Sequence, residues 1–295
     1  MSAAPTHATV AGRAYLALQK KARSEGRATD ELLQLFALEA FVARLVLSDD
    51  ASDLVLKGGV LLAAYEMRRP TRDVDLSANN RSNSVDATLA LVRDILSHDL
   101  DDGWSFAAAS GDRIREEDLY SGVRVTVNGA LASAKVTFHV DVNFGDPITP
   151  APRNVNMPRL LGGTLTVRGY PLEMVHAEKI VTALQRGTAN TRWRDFADIY
   201  LLSRLHVVSA ADMRSALSAV AAFRGIELTS LRTTLDGFAG LGQTRWSNWV
   251  RRQRLQQRLP VELSDILESV FSFAEPLLVG SHRGSSWDPV TRAWL

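Results

Sequence analysis

The sequence predicts an α+β fold, in which a mixed sheet flanked by helices is followed by a helical carboxy-terminal domain. Three observations carry that expectation. Strand-like apolar patterns are confined to short stretches between residues 54 and 167. Apolar residues at helical spacing precede those stretches, interrupt them once, and take over from Leu172 onward. Pro147, Pro150, Pro152 and Pro158 cluster where the pattern changes, so we place a first domain over residues 1–168 and a second over 169–295.

Taken in order, residues 11–47 read as helical. Asp30 suits an N-cap with Glu31 in the first turn, and Leu32, Leu35, Phe36, Leu38, Phe41, Val42, Leu45 and Val46 follow helical spacing. Asp49 and Asp50 lead into a short strand, Leu54 to Leu56. A helix over Val60 to Met67 would start at the Gly58-Gly59 turn and stop before Pro70. Asp73 to Leu76 reads as a strand and residues 85–98 as a helix. Val123, Val125 and Val127 form one alternating stripe; Val136, Phe138, Val140, Val142 and Phe144 form a longer one. Asn128-Gly129 lies between them and predicts the turn of an antiparallel pair. Leu165 to Val167 adds an edge strand. Residues 224–244, rich in Gly and Thr, read as a mobile loop.

Composition excludes several classes. With 295 residues, 46% hydrophobic and 23% charged, the chain suits a soluble globular protein of two modules. It has no cysteine, which removes disulfides and thiolate chemistry and fits a reducing cytoplasm. The amino-terminal MSAAPTHATVAGRAY lacks the basic and apolar regions of a signal peptide, and no apolar run is long enough to span a bilayer. A net charge of +1 announces no polyanion partner globally; any nucleic-acid surface must arise from uneven charge distribution.

The chemistry concentrates in carboxylates at strand ends. Asp73 and Asp75 are two apart in a strand and point the same way. Two neighbouring carboxylates repel, at a cost that a cation offsets, and hard oxygen ligands suit Mg²⁺ or Mn²⁺ bound together with substrate phosphates. Lys57-Gly58-Gly59 supplies a turn whose backbone N–H groups can hold those phosphates. On the longer strand Lys135, Thr137, His139, Asp141 and Asn143 share the polar face. Asp141 can therefore join the pair, as a third metal ligand or as a general base.

The order of these parts resembles the nucleotidyltransferase superfamily. More narrowly, LVLKGGVLL from Leu54 and RPTRDVDL from Arg69, followed by PLEMVHAEKIVTAL from Pro171 and RWRDFADIY from Arg192, resemble the AbiEii/MenT nucleotidyltransferase toxins of bacterial toxin–antitoxin pairs. The likeness covers most of residues 30–205. It implies a nucleotidyltransferase-like sheet and a metal site of Asp73, Asp75 and Asp141. It also implies nucleotide contacts from Lys57, Gly58, Gly59, Thr71, Arg72 and Asp195. Members of the superfamily often carry Ser where this chain has Gly59, and the Thr71 hydroxyl can take its place. Lys179, with Asp198, is implied as catalytic, the lysine reaching the triphosphate. Asp195 and Asp198 share a helical face; one can orient Lys179 or Arg192 while the other meets ribose or base, or both can be ordinary intrahelical partners of Arg192 and Arg194. His139 and His176 read as structural.

The implied reaction is attack of a hydroxyl on the α-phosphate of a nucleoside triphosphate, with tRNA 3′ ends as acceptor, blocked translation as the outcome, and a separately encoded antitoxin protein as partner. Arg245 to Arg258 (RWSNWVRRQRLQQR) holds five arginines and no acid. Arg251, Arg254 and Arg258 at helical spacing would contact RNA phosphates, or form a solvated face. Two other readings remain at this stage: transfer of the nucleotide onto a protein hydroxyl, and a nucleotide-binding regulator without turnover.

Overall fold

A computed structural model describes residues 5–79, 81–114, 122–280 and 285–295. The chain divides into two compact units, Met1–Asp146 with Pro152–Tyr170, and Pro147–Ala151 with Pro171–Leu295.

The first unit contains helices α1 (Val10–Ser24), α2 (Thr29–Leu47), α3 (Gly58–Leu61) and α4 (Val85–Ser97). Its strands are β1 (Leu54–Lys57), β2 (Asp73–Ala78), β3 (Trp104–Ile114), β4 (Gly122–Leu131), β5 (Ala134–Phe144), β6 (Arg153–Pro158) and β7 (Thr164–Gly169). They form one mixed sheet in the order β3-β4-β5-β2-β1-β7-β6. The pairs β2/β5 and β1/β7 are parallel and the remaining pairs antiparallel. In β2 and β5 the apolar alternation decides which face enters the core: Val74, Leu76, Phe138 and Val140 are buried there.

Helix α2 packs on the sheet and is buried nearly all round, from Leu32 to Leu45. Its two buried charges are both compensated, as burial requires. Glu39 accepts from the Leu160 N–H at 2.9 Å, from Arg68 at 3.2 Å and from Arg159 at 3.2 Å. Arg44 grips Asp102 with two bonds of 2.7 and 3.0 Å.

Several local expectations are corrected. The helix over 11–47 is two helices, because Gly26 turns the chain at φ 62°. Asp30 lies inside the first turn of α2, whose N-cap is Ala28 with no side-chain bond. The helix after the Gly-Gly turn is only α3 followed by a 3-10 turn, Leu62–Tyr65, ended by Glu66 at φ 57°. The Tyr65 hydroxyl ties that turn down by donating to the Tyr170 carbonyl at 2.6 Å. The hairpin of β4 and β5 turns at Ala132-Ser133, with Ala132 at φ 50°. Asn128-Gly129 lies within β4 instead, and Gly129 is needed there because a Cβ would come within 2.7 Å of the Phe106 ring. Strand β7 is internal, since β6 forms the edge. Strands β3 and β6 escaped the sequence reading; β3 is rich in Ala and Ser, and its edge position is stabilised by pairing with β4 and by Trp104 stacked on Phe106 at 5.1 Å.

The second unit comprises α5 (Leu172–Arg186), α6 (Trp193–Leu202), α7 (Ala210–Arg224), α8 (Leu231–Thr234), α9 (Phe238–Arg252) and α10 (Leu263–Leu278). A small sheet of β8 (Val208–Ser209), β9 (Ser286–Asp288) and β10 (Ala293–Trp294) qualifies the all-helical expectation. Phe273, Trp287 and Trp294 cluster there, and the Trp287 indole donates to the Ser203 carbonyl at 2.6 Å. The stretch 224–244 contains α8 and the start of α9, anchored by buried Leu231, Leu235 and Phe238. Among the described residues no helix is long and apolar enough to cross a membrane.

His176 of α5 is fully buried against Phe273, at 4.6 Å between rings. Among the described residues neither ring nitrogen has a hydrogen-bond partner. Burial first, then the charges of Lys179 and His206, lower its pKa to about 3. A histidine held neutral in the fold but protonated when unfolded stabilises fully above its unfolded value near 6.5 and loses that contribution as pH falls toward the folded value. The loss is about 1.4 kcal/mol per pH unit below 6.5, or roughly 2 kcal/mol by pH 5. His176→Leu should therefore show a shallower loss of urea-unfolding stability between pH 6.5 and 5 than the parent. Parallel pH profiles would refute the assignment.

Candidate active site

The sheet assembles the site through one row of side chains. Lys57 pairs with Asp75 across β1/β2, Asp75 with Asp141 across β2/β5, and Asp141 with Arg124 across β5/β4. Directly opposed residues share a face, so four neighbouring strands present a cation, two carboxylates and a second cation in a line. The next row carries Asp73 beside His139. Asp73, Asp75 and Asp141 thus come together on one face.

Asp141, Asp73 and Lys57 each have a defined partner. Asp141 is gripped by Arg124, Nε to Oδ1 at 2.8 Å and Nη2 to Oδ2 at 2.6 Å, and those bonds raise the guanidinium's pKa further. His139 Nδ1 lies 3.0 Å from Asp73 Oδ1, so this histidine touches the carboxylate row. Lys57 is buried and donates to Asp146 at 2.6 Å, with its ammonium over the Tyr170 ring. Asp75 keeps some accessible surface, but its carboxyl lies deep among protein atoms. That burial, followed by the charge of Asp141 and then Asp73, pushes its pKa up to about 6 against the pull of Lys57 and Arg69.

The Gly-Gly turn is shaped around these groups. Gly58 sits at φ 65°, where L side chains are strained, and a Cβ there would overlap the Asp75 carboxyl. A Cβ on Gly59 would come within 2.6 Å of the Thr71 hydroxyl. Thr71 therefore occupies the space beside Gly59 and is itself buried. Arg72 is exposed next to Asp73.

Among the described residues no group of three or more His, Asp or Glu side chains is arranged as a ready metal cage, and Arg124 holds both oxygens of Asp141. The pair Asp73 and Asp75 nevertheless fits a divalent cation. Burial first, and then the charges of Asp141 and Asp73, raise the Asp75 pKa, a cost that a cation beside the pair would offset, and Mg²⁺ is commonly bound by one or two carboxylates plus phosphate oxygens.

In the second unit Lys179 of α5 inserts its ammonium between Asp195 and Asp198 of α6, at 2.8 Å from each. Arg192 donates to the other Asp195 oxygen at 2.6 Å. Burial would raise Asp195, but Lys179 and Arg192 overcome it and bring its pKa down to about 2. Asp198 is buried and faces the lysine. Of the five arginines near α9, only Arg245, Arg251 and Arg252 lie in the helix. Arg254 follows its end at φ 56° and Arg258 comes later still, so Arg251, Arg254 and Arg258 do not share a helical face. Trp246 is core, donating to the Pro260 carbonyl at 3.2 Å.

Comparison with known proteins places this geometry. The family described as "Nucleotidyl transferase AbiEii toxin, Type IV TA system" matches residues 40–271. The chain belongs to the AbiEii nucleotidyltransferase toxin family. A solved candidate nucleotidyltransferase from H. pylori is similar in fold, with a TM-score of 0.50 at 16% identity, covering 87% of this chain and 99% of that one. JHP933 from Helicobacter pylori aligns at a TM-score of 0.47 and 16% identity, covering 86% of this chain and 94% of its own. No curated protein matches.

For this AbiEii-family enzyme, sequence reasoning found the carboxylates but did not single out Arg124 and Asp146 or the contact of His139 with Asp73. His139 was legible in principle, two residues before Asp141 on the same strand face. Arg124 and Asp146 carried no local signal, because their roles arise from cross-strand register and from a loop folding back on β1.

Proposed function

We propose that this AbiEii-family nucleotidyltransferase moves a nucleoside monophosphate from a nucleoside triphosphate onto the 3′ hydroxyl of RNA, with the tRNA acceptor end as substrate, in a Mg²⁺-dependent reaction. The observation that carries the reading is the same-face pair Asp73 and Asp75 beside the positive-φ turn at Gly58. The acceptor hydroxyl oxygen forms a bond to the α-phosphorus as its proton passes to solvent, the bond from that phosphorus to the oxygen bridging to the β-phosphate breaks, and pyrophosphate leaves with the electron pair. Asp73 and Asp75 would hold the divalent cation, which supplies charge neutralisation at the phosphates. The N–H groups at Gly58-Gly59 and the Thr71 hydroxyl face the phosphates. Arg124 holds Asp141 against Asp75, and His139 orients Asp73. Lys179, ion-paired with Asp195 and Asp198, would serve the triphosphate.

As a member of a type IV toxin–antitoxin family, the enzyme uses a nucleoside triphosphate and has an antitoxin partner. We propose that the antitoxin is a separately encoded protein and that growth arrest follows from blocked tRNA charging. The test supplies each α-labelled triphosphate in turn, with Mg²⁺, total RNA and total protein. Label should enter RNA of tRNA size and disappear with EDTA. Label in protein alone would replace RNA by a protein hydroxyl as acceptor, and no label anywhere would leave a binding protein without turnover.

A further inference from the structure

Helix α9 is amphipathic in an unusual way. Phe238, Gly242, Trp246 and Val250 are buried along one side. The other side presents Arg245, Asn248, Arg251 and Arg252, which together with Trp193 line a hollow of about 440 Å³. Trp193 forms its wall because it is pinned from behind. Its ring stacks on Phe238 at 5.4 Å, and its edge fills the space that a Cβ on Gly242 would need, 3.0 Å away. The three arginines are exposed. Among the described residues none of them forms an ion pair with a carboxylate, whereas Arg44, Arg124, Arg192 and Arg232 all do. Asn248 accepts from Arg251 Nη2 at 2.5 Å, which leaves the remaining guanidinium donors open.

Three like charges gathered without a counter-charge repel one another, and an anion entering between them relieves that cost. Guanidinium forks match phosphate oxygens in pairs and stack on flat rings. The hollow adds an aromatic edge and the aliphatic stems of the arginines, a surface for ribose or base that a bare phosphate would not use.

We infer that this hollow seats one nucleotide of an RNA strand, its phosphate on Arg245, Arg251 and Arg252 and its sugar or base against Trp193. The site deepens the RNA-acceptor reading and rests on it for the choice of polyanion, but it is a binding site in its own right. It also shifts the contact away from Arg254 and Arg258, which do not line the hollow.

The test measures binding without catalysis. Fluorescein-labelled tRNA and a labelled single-stranded 12-nucleotide RNA are titrated with the full chain in EDTA, without triphosphate, from about 50 to 200 mM salt. Arg245→Gln/Arg251→Gln/Arg252→Gln should weaken binding at least tenfold and flatten the plot of log K against log salt by about one, since the hollow neutralises one phosphate and each phosphate contributes about 0.7–0.9. Arg254→Gln/Arg258→Gln should change that slope by less than half as much. Thermal melting of the triple variant should match the parent, because all three side chains are exposed. An unchanged slope in the triple variant, or equal effects of the two variants, overturns the inference. So does displacement of RNA by poly-glutamate at equal charge concentration, which would make the hollow a seat for an acidic protein segment. If the parent binds RNA as described but transfers no label to it, the acceptor reading fails while the site stands. Label transfer with an unchanged salt slope is the reverse.

Discussion

Asp73→Ala and Asp75→Ala should each lower nucleotidyl transfer by about 10³-fold or more, corresponding to a loss of roughly 4 kcal/mol or more of transition-state stabilisation. The expectation follows from their shared face on β2 and from the crowding of negative charge around Asp75. Neither substitution should unfold the protein. Asp73 is partly accessible, and Asp75 is a charge crowded by Asp73 and Asp141, so Asp75→Asn should melt no lower than the parent. That separation of activity from stability marks a functional group, since active sites commonly retain groups that cost stability. The measurement is single-turnover label transfer at saturating Mg²⁺, with melting curves in parallel. Near-parental transfer by both alanine variants would remove the active site from β2.

Lys179→Ala should abolish transfer and relieve growth arrest on expression, but its effect on folding is also large. The lysine is the counter-charge of two buried carboxylates, and removing one partner of a buried pair costs on the order of 3–5 kcal/mol because the remaining charge stays desolvated. A loss of activity in the single variant is therefore ambiguous. The triple variant Lys179→Met/Asp195→Asn/Asp198→Asn removes the charges together, and replacing a whole buried ionic cluster is often neutral or stabilising. We expect it to recover the melting temperature lost in Lys179→Ala and to remain inactive. If transfer returned with stability, the cluster would be a structural ion group and the triphosphate would take its positive charge elsewhere.

Much of the chemistry was legible in the chain itself, and the reason is local geometry. Asp73 and Asp75 share a face because strand side chains alternate, whatever the rest of the fold does. Gly58 and Gly59 announced a turn because few other residues tolerate it, and the long apolar face of α2 announced a buried helix. The blocks around Lys57, Asp73, Lys179 and Asp195 were enough to suggest the family that the profile match then showed.

Tertiary structure decided the rest, where the outcome depended on which strands became neighbours. β2 and β5 are separated by more than fifty residues, yet their parallel register sets Asp75 against Asp141 and Asp73 against His139. The antiparallel register of β4 then places Arg124 on Asp141 and pairs the two side chains. Asn128-Gly129 looked like a turn but lies within β4, paired on both sides by β3 and β5, where the Phe106 ring fills the space a side chain at 129 would need. Arg254 and Arg258 fit a helical repeat on paper, but α9 ends at Arg252. Periodicity is a property of a short segment and is written in it; register, ring packing and helix ends depend on contacts between distant segments, which only the folded chain brings together.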